Sequence, residues 1–551
     1  MIEFDETVDI LVIGSGSAGL AAALVASSAG KSVLVLEKSD YLGGTSAMSG
    51  AGTWIPANHH MLAAGIEDSP ENALTYLRNT APAGWEREED ALWRAFAEKA
   101  PEMLRFIEAK TPLEFQIINE PDIFAETEGG VEYGRMLSTR PLRMSVAGPL
   151  ARHIRPSTTP QILSYHEAQS LNFFRRPIRS MIRFADRYVR RTLLAERAQG
   201  HALVAGLLRG CLDNACEFRL SSRALKPLLD KTGRVCGVTV GHPTAGERKI
   251  GARLGVVLAT GGFEWDEELR ERHFPGPIDR IGSPRTNAGD GQRIAAEAGA
   301  ALARMDQANV FPTIPRIYEG HLHGMPMTIH YDPHAIVVNR DGLRFASEFD
   351  FNFFEALDAR DPQTGQPRHL PAWLIADARS FVRLPFFRIH ALRHKGWIQK
   401  AASIRELATI TGLPADTLES TVTRFNEFAA AGVDLDFRRG EGLWQRHKSR
   451  ARYGKPGNPA LGGLARPPFY AIRFNRSLLG TKGGARTDEK GRVLRQDGSV
   501  LPGLFAAGLA MANPIGTRAV GPGTTIGPCL TWGYICGISL LNEASGDEGA
   551  T

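Results

Sequence analysis

Gly14, Gly16 and Gly19 stand at the spacing Gly-x-Gly-x-x-Gly, directly after the apolar run 9–13. Glycines so spaced suit diphosphate binding. The first permits a tight turn, the second lets a phosphate approach bare backbone, and the third lets a helix close on a strand. Two further glycine turns lie far along the chain: Ala259, Thr260, Gly261 and Gly262, and then the stretch 508–527. Three such turns, the first two each following a strand-like run, are the parts expected of one dinucleotide cradle, and together they point to FAD. Glu37 closes the strand 32–36, about 20 residues beyond the glycines, where a carboxylate accepts hydrogen bonds from the adenosine ribose. The N-terminus of a small-residue helix, 20–28, offers positive potential to the phosphates. Segment 41–52 adds Gly43, Gly44, Thr45, Ser46, Ser49, Gly50, Ala51 and Gly52. Its bare N–H groups and small hydroxyls are suited to run along a pyrophosphate and a flavin edge. With the one βαβ fingerprint used in this way, no nicotinamide site remains.

The elements that must position these residues read as an α/β protein of several domains, as 551 residues require. A Rossmann-like FAD-binding domain with a central parallel sheet is expected over 1–279, carrying a largely helical insert at about 70–210. An α+β substrate domain follows over 280–465, and the chain returns to the first domain over 466–551. Strands are expected at 218–220 and 237–241 around a turn at 231–234, and again at 254–258. Asp290 opens a helix over 292–300, and the last helix begins near Thr525.

Composition narrows the function classes. Hydrophobic residues make up 43% and charged residues 23%, an ordinary globular balance. Five cysteines form no Cys-x-x-Cys pair and no Cys/His zinc spacing, so no metal centre is expected, and a reducing compartment is. The acidic N-terminus lacks the pattern of a signal peptide, and no apolar run approaches the roughly 18 residues of a membrane span. A cytoplasmic protein is the expectation. The net charge of +5 is mild, and no nucleic-acid motif accompanies it. Much of the excess falls in 174–191, where Arg175, Arg179, Arg183, Arg187, Arg190 and Arg191 occupy one arc of a helical wheel. Ile178, Met181, Ile182, Phe184, Ala185, Tyr188 and Val189 occupy the other. Such a helix is either a solvated basic face over a packed apolar one, or a contact with a membrane surface.

With these residues in view, the chain resembles the fumarate-reductase-like flavoproteins, most closely their 3-ketosteroid Δ1-dehydrogenase branch. The resemblance runs nearly the whole length, through 9–19, 43–50, 258–263, 289–291, 336–342 and 521–528. It implies an FAD domain interrupted by a substrate domain, with the flavin between them. It also places Lys38, Ala224, Asn287, Asp290, Gly291, Gly508, Thr524, Thr525 and Ile526 with Ser17, Ala18 and the glycine turns around the cofactor.

The implied reaction removes two hydrogens beside a carbonyl: a base takes the α-proton and the β-hydrogen leaves as hydride to the flavin. Gly523 matches the family's carbonyl-binding glycine. The family's tyrosines, however, fall here on Ala519, on Ile123 and Phe124, and on Asn352 or Phe351. Tyr188, Tyr331 and His330 are the substitutes weighed as base, and Arg518 as a carboxylate ligand of the kind the fumarate reductases use. The candidate catalytic positions are therefore Gly523, Arg518, Tyr188, Tyr331, Asn352 and Phe124. The leading expectation is FAD-dependent desaturation of an apolar cyclic or steroid-like ketone, with an external electron acceptor. Enoate or enone reduction is the alternative. A flavin-binding protein without redox turnover is the third.

Overall fold

Residues Glu6–Ile13 are buried along their apolar half, as expected of a parallel strand covered on both faces. A computed structural model describes residues 2–170, 177–242, 246–453 and 457–545. The strand lies inside an eight-stranded sheet whose main path is Arg492–Leu494, Val500–Ala506, Gly246–Leu258, Glu6–Ile13, Val33–Leu36 and Glu217–Arg219. The last five of these pair in parallel, so their carboxyl ends share one edge. The hairpin expected around 231–234 forms between Arg223–Leu229 and Val235–His242. Residues 217–219 are not part of it, because they pair instead with Val33–Leu36 as the outer parallel strand.

Small residues set how tightly the helices close. Helix Ser17–Ser28 is rich in alanine and buried along eleven of its twelve positions. The C-terminal helix Ile526–Ser545 crosses it at Gly533, where a Cβ would stand 2.1 Å from the Ala18 carbonyl oxygen. No side chain larger than hydrogen fits that crossing.

The insert brings helices Pro70–Thr80, Glu86–Lys110 and Gln199–Asp213, with a small sheet of Thr53–Trp54, Met136–Thr139 and Phe115–Ile117. Its centre is ionic. The Arg135 guanidinium, 1% exposed, holds Asp68 at 2.6 Å and Asp122 at 2.8 Å. The Trp54 indole N–H donates to Asp122 at 2.7 Å. Burial pushes the Asp122 carboxyl up to about 6, against the pull of Arg135. The network fixes the Trp54 ring, on which the distant residue Gly521 rests.

A second, four-stranded antiparallel sheet runs Ala335–Val338, Trp373–Ala376, Phe469–Arg473 and Ile398–Ala401. The chain thus stays in this sheet to residue 473. Separate apolar clusters cover the large parallel sheet and this smaller one. The five cysteines are free. Among the described residues no helix is long and apolar enough to cross a membrane.

Helix Pro177–Leu193 forms as expected, and burial distinguishes the two readings of its apolar arc. Of that arc Phe184 is buried, while Ile178, Met181, Ile182, Tyr188 and Val189 are exposed, so the arc as a whole does not pack on the protein. The helix is fastened through a third face. Ser180, Phe184 and Arg191 turn inward, and Arg191 pairs with Glu167 at 2.6 Å. Arg175 lies outside the described residues.

His201 Nε2–H donates to the Arg155 carbonyl, 2.9 Å away, and burial pulls its ring below the ordinary histidine range. A depressed folded pKa means the unfolded chain binds the extra proton first, so this contribution is present above about pH 6.5 and lost as pH falls. The melting temperature is expected to drop between pH 7 and pH 5, with a smaller drop in His201→Gln. A calorimetric pH series checks this.

Candidate active site

The carboxyl edge of the large sheet opens into one cleft of about 540 Å³. This is where an open α/β sheet places a ligand. Gly14, at φ +105°, turns so sharply that a Cβ would stand 2.3 Å from the Ala259 carbonyl oxygen. At Gly19 a Cβ would stand 2.0 Å from the Gly14 carbonyl oxygen. Gly16 differs: its φ is −67°, and the nearest atom to an added Cβ is Ser46 Oγ at 3.7 Å. The first and third glycines are filled by protein, whereas the second faces open cleft, as close approach by a phosphate requires.

Around this turn the polar groups are held in place. The Glu37 carboxylate accepts the Ser15 hydroxyl at 2.6 Å and the Ser39 N–H at 3.0 Å. Ser46 Oγ accepts the Ser17 N–H at 3.0 Å, so the first turn of the helix is tied to segment 43–52. Lys38 and Arg223 reach Asp290 from two sides, at 2.6 and 2.7 Å. Asn287 donates to Thr45 Oγ1 at 2.9 Å and to Glu264 at 2.8 Å.

Of the cradle positions expected from sequence, all but Gly19, Gly43, Gly262 and Gly291 line the cleft. Each of these four is a packing glycine. Gly43 faces Val204, Gly262 faces Glu264 and Thr481, and Gly291 faces Thr260. Gly508, Gly523, Thr524, Thr525 and Ile526 close the cleft from the C-terminal side, together with Ala224 and Gly52 elsewhere on its wall.

The turn before the last helix carries the sharpest geometry. Gly523 has φ +91°, and a Cβ there would stand 2.6 Å from Gly52 backbone. Gly521 lies flat on Trp54, with only 2.3 Å from an added Cβ to the indole ring. Among the described residues the Gly523 N–H has no acceptor, while its carbonyl takes the Trp54 and Gly527 N–H groups at 3.3 and 3.0 Å. An uncommitted N–H thus sits at the cleft beside the start of Ile526–Ser545, where the helix dipole favours negative charge.

The other candidate catalytic positions separate clearly. Tyr331 is buried, stacks on Phe349 and lines the cleft. Asn352 also lines it, but both amide atoms grip Ala519, at 2.9 Å to its N–H and 2.9 Å to its carbonyl. Arg518 does not reach the cleft. Its guanidinium forms a two-point pair with Glu355, both bonds 2.8 Å, because that carboxylate lies on the neighbouring helix Phe353–Leu357. Tyr188 is half exposed on the outer helix and away from the cleft. Phe124 and Ile123 stand behind the loop. Phe124 N–H donates to the Tyr76 hydroxyl at 3.2 Å, and that hydroxyl donates to the Val520 carbonyl at 2.6 Å. His330, weighed as a loop residue, is buried at 1% exposure among Tyr331, Phe353, Phe354 and Phe474.

Among the cleft residues that sequence reasoning missed are Tyr165, Lys448 and Lys482. Tyr165 stacks over Gly50 and lies 3.5 Å from Glu120, which also holds Lys448. The sequence around Tyr165 carries no motif. Lys482 sits inside Gly480-Thr-Lys-Gly-Gly484, a glycine-rich signal that could have been read as a fourth turn.

The chain belongs to the FAD-binding domain family, whose pattern it matches over residues 9–526. FAD is its cofactor, and Gly16, Glu37, Ser46 and the 521–526 turn are suited to hold it. Among the relatives is the 3-oxosteroid 1-dehydrogenase of Mycolicibacterium smegmatis, 35% identical over 98% of each chain. The 4-oxocyclohexanecarboxylate 2-dehydrogenase of Sinomonas cyclohexanicum is 36% identical over 99% of this chain and 95% of its own. The crystal structure of 3-ketosteroid Δ1-dehydrogenase from Sterolibacterium denitrificans with 1,4-androstadiene-3,17-dione superimposes with a TM-score of 0.87. It is 29% identical and covers 98% of this chain and 100% of its own.

The glycines give a paired test. In Gly16→Ala the added methyl meets open cleft, so the fold should persist while FAD affinity falls at least tenfold. In Gly19→Ala the methyl meets backbone, so the melting temperature itself should fall. Flavin titration and thermal unfolding of both apoproteins check the contrast.

Proposed function

We propose that the protein desaturates an apolar cyclic ketone at the carbons α and β to its carbonyl, using FAD. The observation that carries this reading is the meeting, in one cleft, of the free Gly523 N–H, the Tyr331 phenol and an apolar wall of Val310, Phe311, Pro326, Phe351, Phe354 and Trp444. The Gly523 N–H donates to the ketone oxygen as negative charge builds there, and the N-terminal end of Ile526–Ser545 adds to that stabilisation. A ketone so polarised has an acidic α-proton, which the Tyr331 oxygen takes as phenolate, its own proton having first passed to solvent. FAD bound in this cradle supplies the acceptor for the β-hydride. The substrate thus loses a proton and a hydride, gains a carbon–carbon double bond, and leaves two electrons for an external acceptor. The relatives that act on a 3-oxosteroid and on an oxocyclohexane carboxylate share the cyclic ketone, and that shared group is the substrate class inferred here.

Reduction of a carboxylate-bearing alkene is less well served. The arginine that reading needs, Arg518, already spends its two-point geometry on Glu355.

Anaerobic mixing with a panel of cyclic ketones is expected to bleach the flavin near 450 nm. Tyr331→Phe should slow that bleaching by about 100-fold or more, the usual contribution of a general base, with FAD retained. Bleaching at the wild-type rate in Tyr331→Phe, together with loss in Tyr165→Phe, would move the role to Tyr165. No bleaching by any ketone would remove the reading.

A second reading concerns where the substrate comes from. The outer helix exposes Ile178 at 73%, Ile182 at 72% and Leu193 at 80% along one stripe, with Arg179, Arg183 and Arg190 alongside. Glu167 ties it to Tyr165–Ser170, the helix that carries the cleft residues Tyr165 and Ala168. We infer that this stripe rests on an anionic membrane surface, from which an apolar ketone would enter. Sedimentation with anionic vesicles is expected for the wild type and at least tenfold weaker for the double variant Ile182→Glu, Val189→Glu. Equal sedimentation of the two would end the inference.

A further inference from the structure

Three lysines line the cleft, and two of them have a carboxylate: Lys38 has Asp290, and Lys448 has Glu120. Lys482 has none. It is 2% exposed, and its ammonium donates to the Gly516 carbonyl at 2.5 Å. The titratable group that faces it is the Cys529 thiol, which burial pushes up to about 12 and so keeps neutral. Burial pulls the Lys482 ammonium down to about 8, which still leaves most of it charged at pH 7.

A buried cation without a counter-charge is expensive to maintain, and the protein interior rarely keeps one unless something compensates it. Gly516 supplies one neutral acceptor for three donors. The position of the lysine indicates what supplies the rest. Cys529 lies in the first turn of Ile526–Ser545 and Ala18 in the first turn of Ser17–Ser28, and both face Gly508, with Sγ 3.7 Å and the Ala18 Cβ 2.9 Å from a Cβ added there. Lys482 therefore stands where the N-terminal ends of two helices converge on the cleft. It follows the strand Arg476–Thr481 directly and is bonded to the loop 513–523 through Gly516. Three sources of positive potential point at one ligand, and that ligand becomes more negative when it accepts a hydride.

We propose that Lys482 is the protein's fixed cation for the flavin, stabilising the reduced over the oxidised cofactor and so making hydride acceptance easier. It takes no proton from substrate and acts through the cofactor, as a positioning charge. The bond to Gly516 gives it a second consequence, because the same ammonium braces the loop that ends in Gly521 and Gly523. The proposal rests on FAD occupying the cleft and does not need the ketone reading.

The test is the two-electron midpoint potential of the holoenzyme, measured by dye equilibration with no ketone present, so that an error in the substrate class leaves it untouched. Lys482→Met removes the charge at similar volume, and Lys482→Arg keeps it. In K482M the preference for reduced over oxidised FAD should fall at least tenfold, which lowers the potential by about 30 mV, while K482R stays near wild type. A smaller change in K482M, or an equal fall in both variants, overturns the proposal. If K482M does not retain FAD, the wild-type holoenzyme decides. Reduction that favours the protonated lysine must draw in an extra proton, by reciprocity of linked equilibria. Between pH 7 and pH 9 its potential should then fall by more than the roughly 30 mV per pH unit of a one-proton, two-electron couple. A slope that stays at about 30 mV overturns the proposal.

Discussion

The site depends on backbone meeting backbone with no side chain between. Gly14 touches Ala259, Gly19 touches Gly14, Gly523 touches Gly52, Gly527 touches Trp54 and Gly533 touches Ala18. Each contact joins segments that are distant in sequence or fold back sharply. Each would be broken by a single methyl group, because an added Cβ would lie inside the contact distance of carbonyl or main-chain atoms. Main-chain groups cannot change rotamer to make room, so the cradle's shape is set by composition rather than by adaptable packing.

On this frame the polar groups divide the work. Glu37, Asp290 and Glu264 fix hydroxyls, amides and cations around the dinucleotide end. The Gly523 end depends on two clamps that act through backbone. Asn352 holds both backbone atoms of Ala519, and Tyr76 links Phe124 to Val520. Both clamps grip the loop just before Gly521, and Trp54, oriented by Asp122, supports it from below. A loop fixed at three points can present one N–H in a constant direction, as differential stabilisation of developing charge requires.

Much of this was legible in the chain itself. The first βαβ unit, with Gly14, Gly16, Gly19 and Glu37, follows from spacing, because phosphate approach and tight turning demand glycine at fixed offsets. The parallel strand 217–219 was not legible in its true place, since a three-residue run carries too little pattern to name its partner. Helix Pro177–Leu193 was read correctly as two-faced, but what covers its apolar arc stayed open, because periodicity finds such an arc without saying whether protein or solvent lies against it. Arg518 looked available for substrate because Glu355, its partner, lies 163 residues away. Lys482 and Tyr165 come from single positions, and a lone lysine or tyrosine in sequence says nothing of its burial.

Separate apolar clusters from the two sheets both reach the cleft. Val310 and Phe354 belong to the core of the smaller sheet, whereas Gly16, Gly508 and the helix after Thr525 are packed on the other. Substitutions in the first set alter one wall of the cleft from within its own cluster, apart from the packing of the other. A scaffold divided this way can be remodelled on one side of its opening while the opposite side keeps its form.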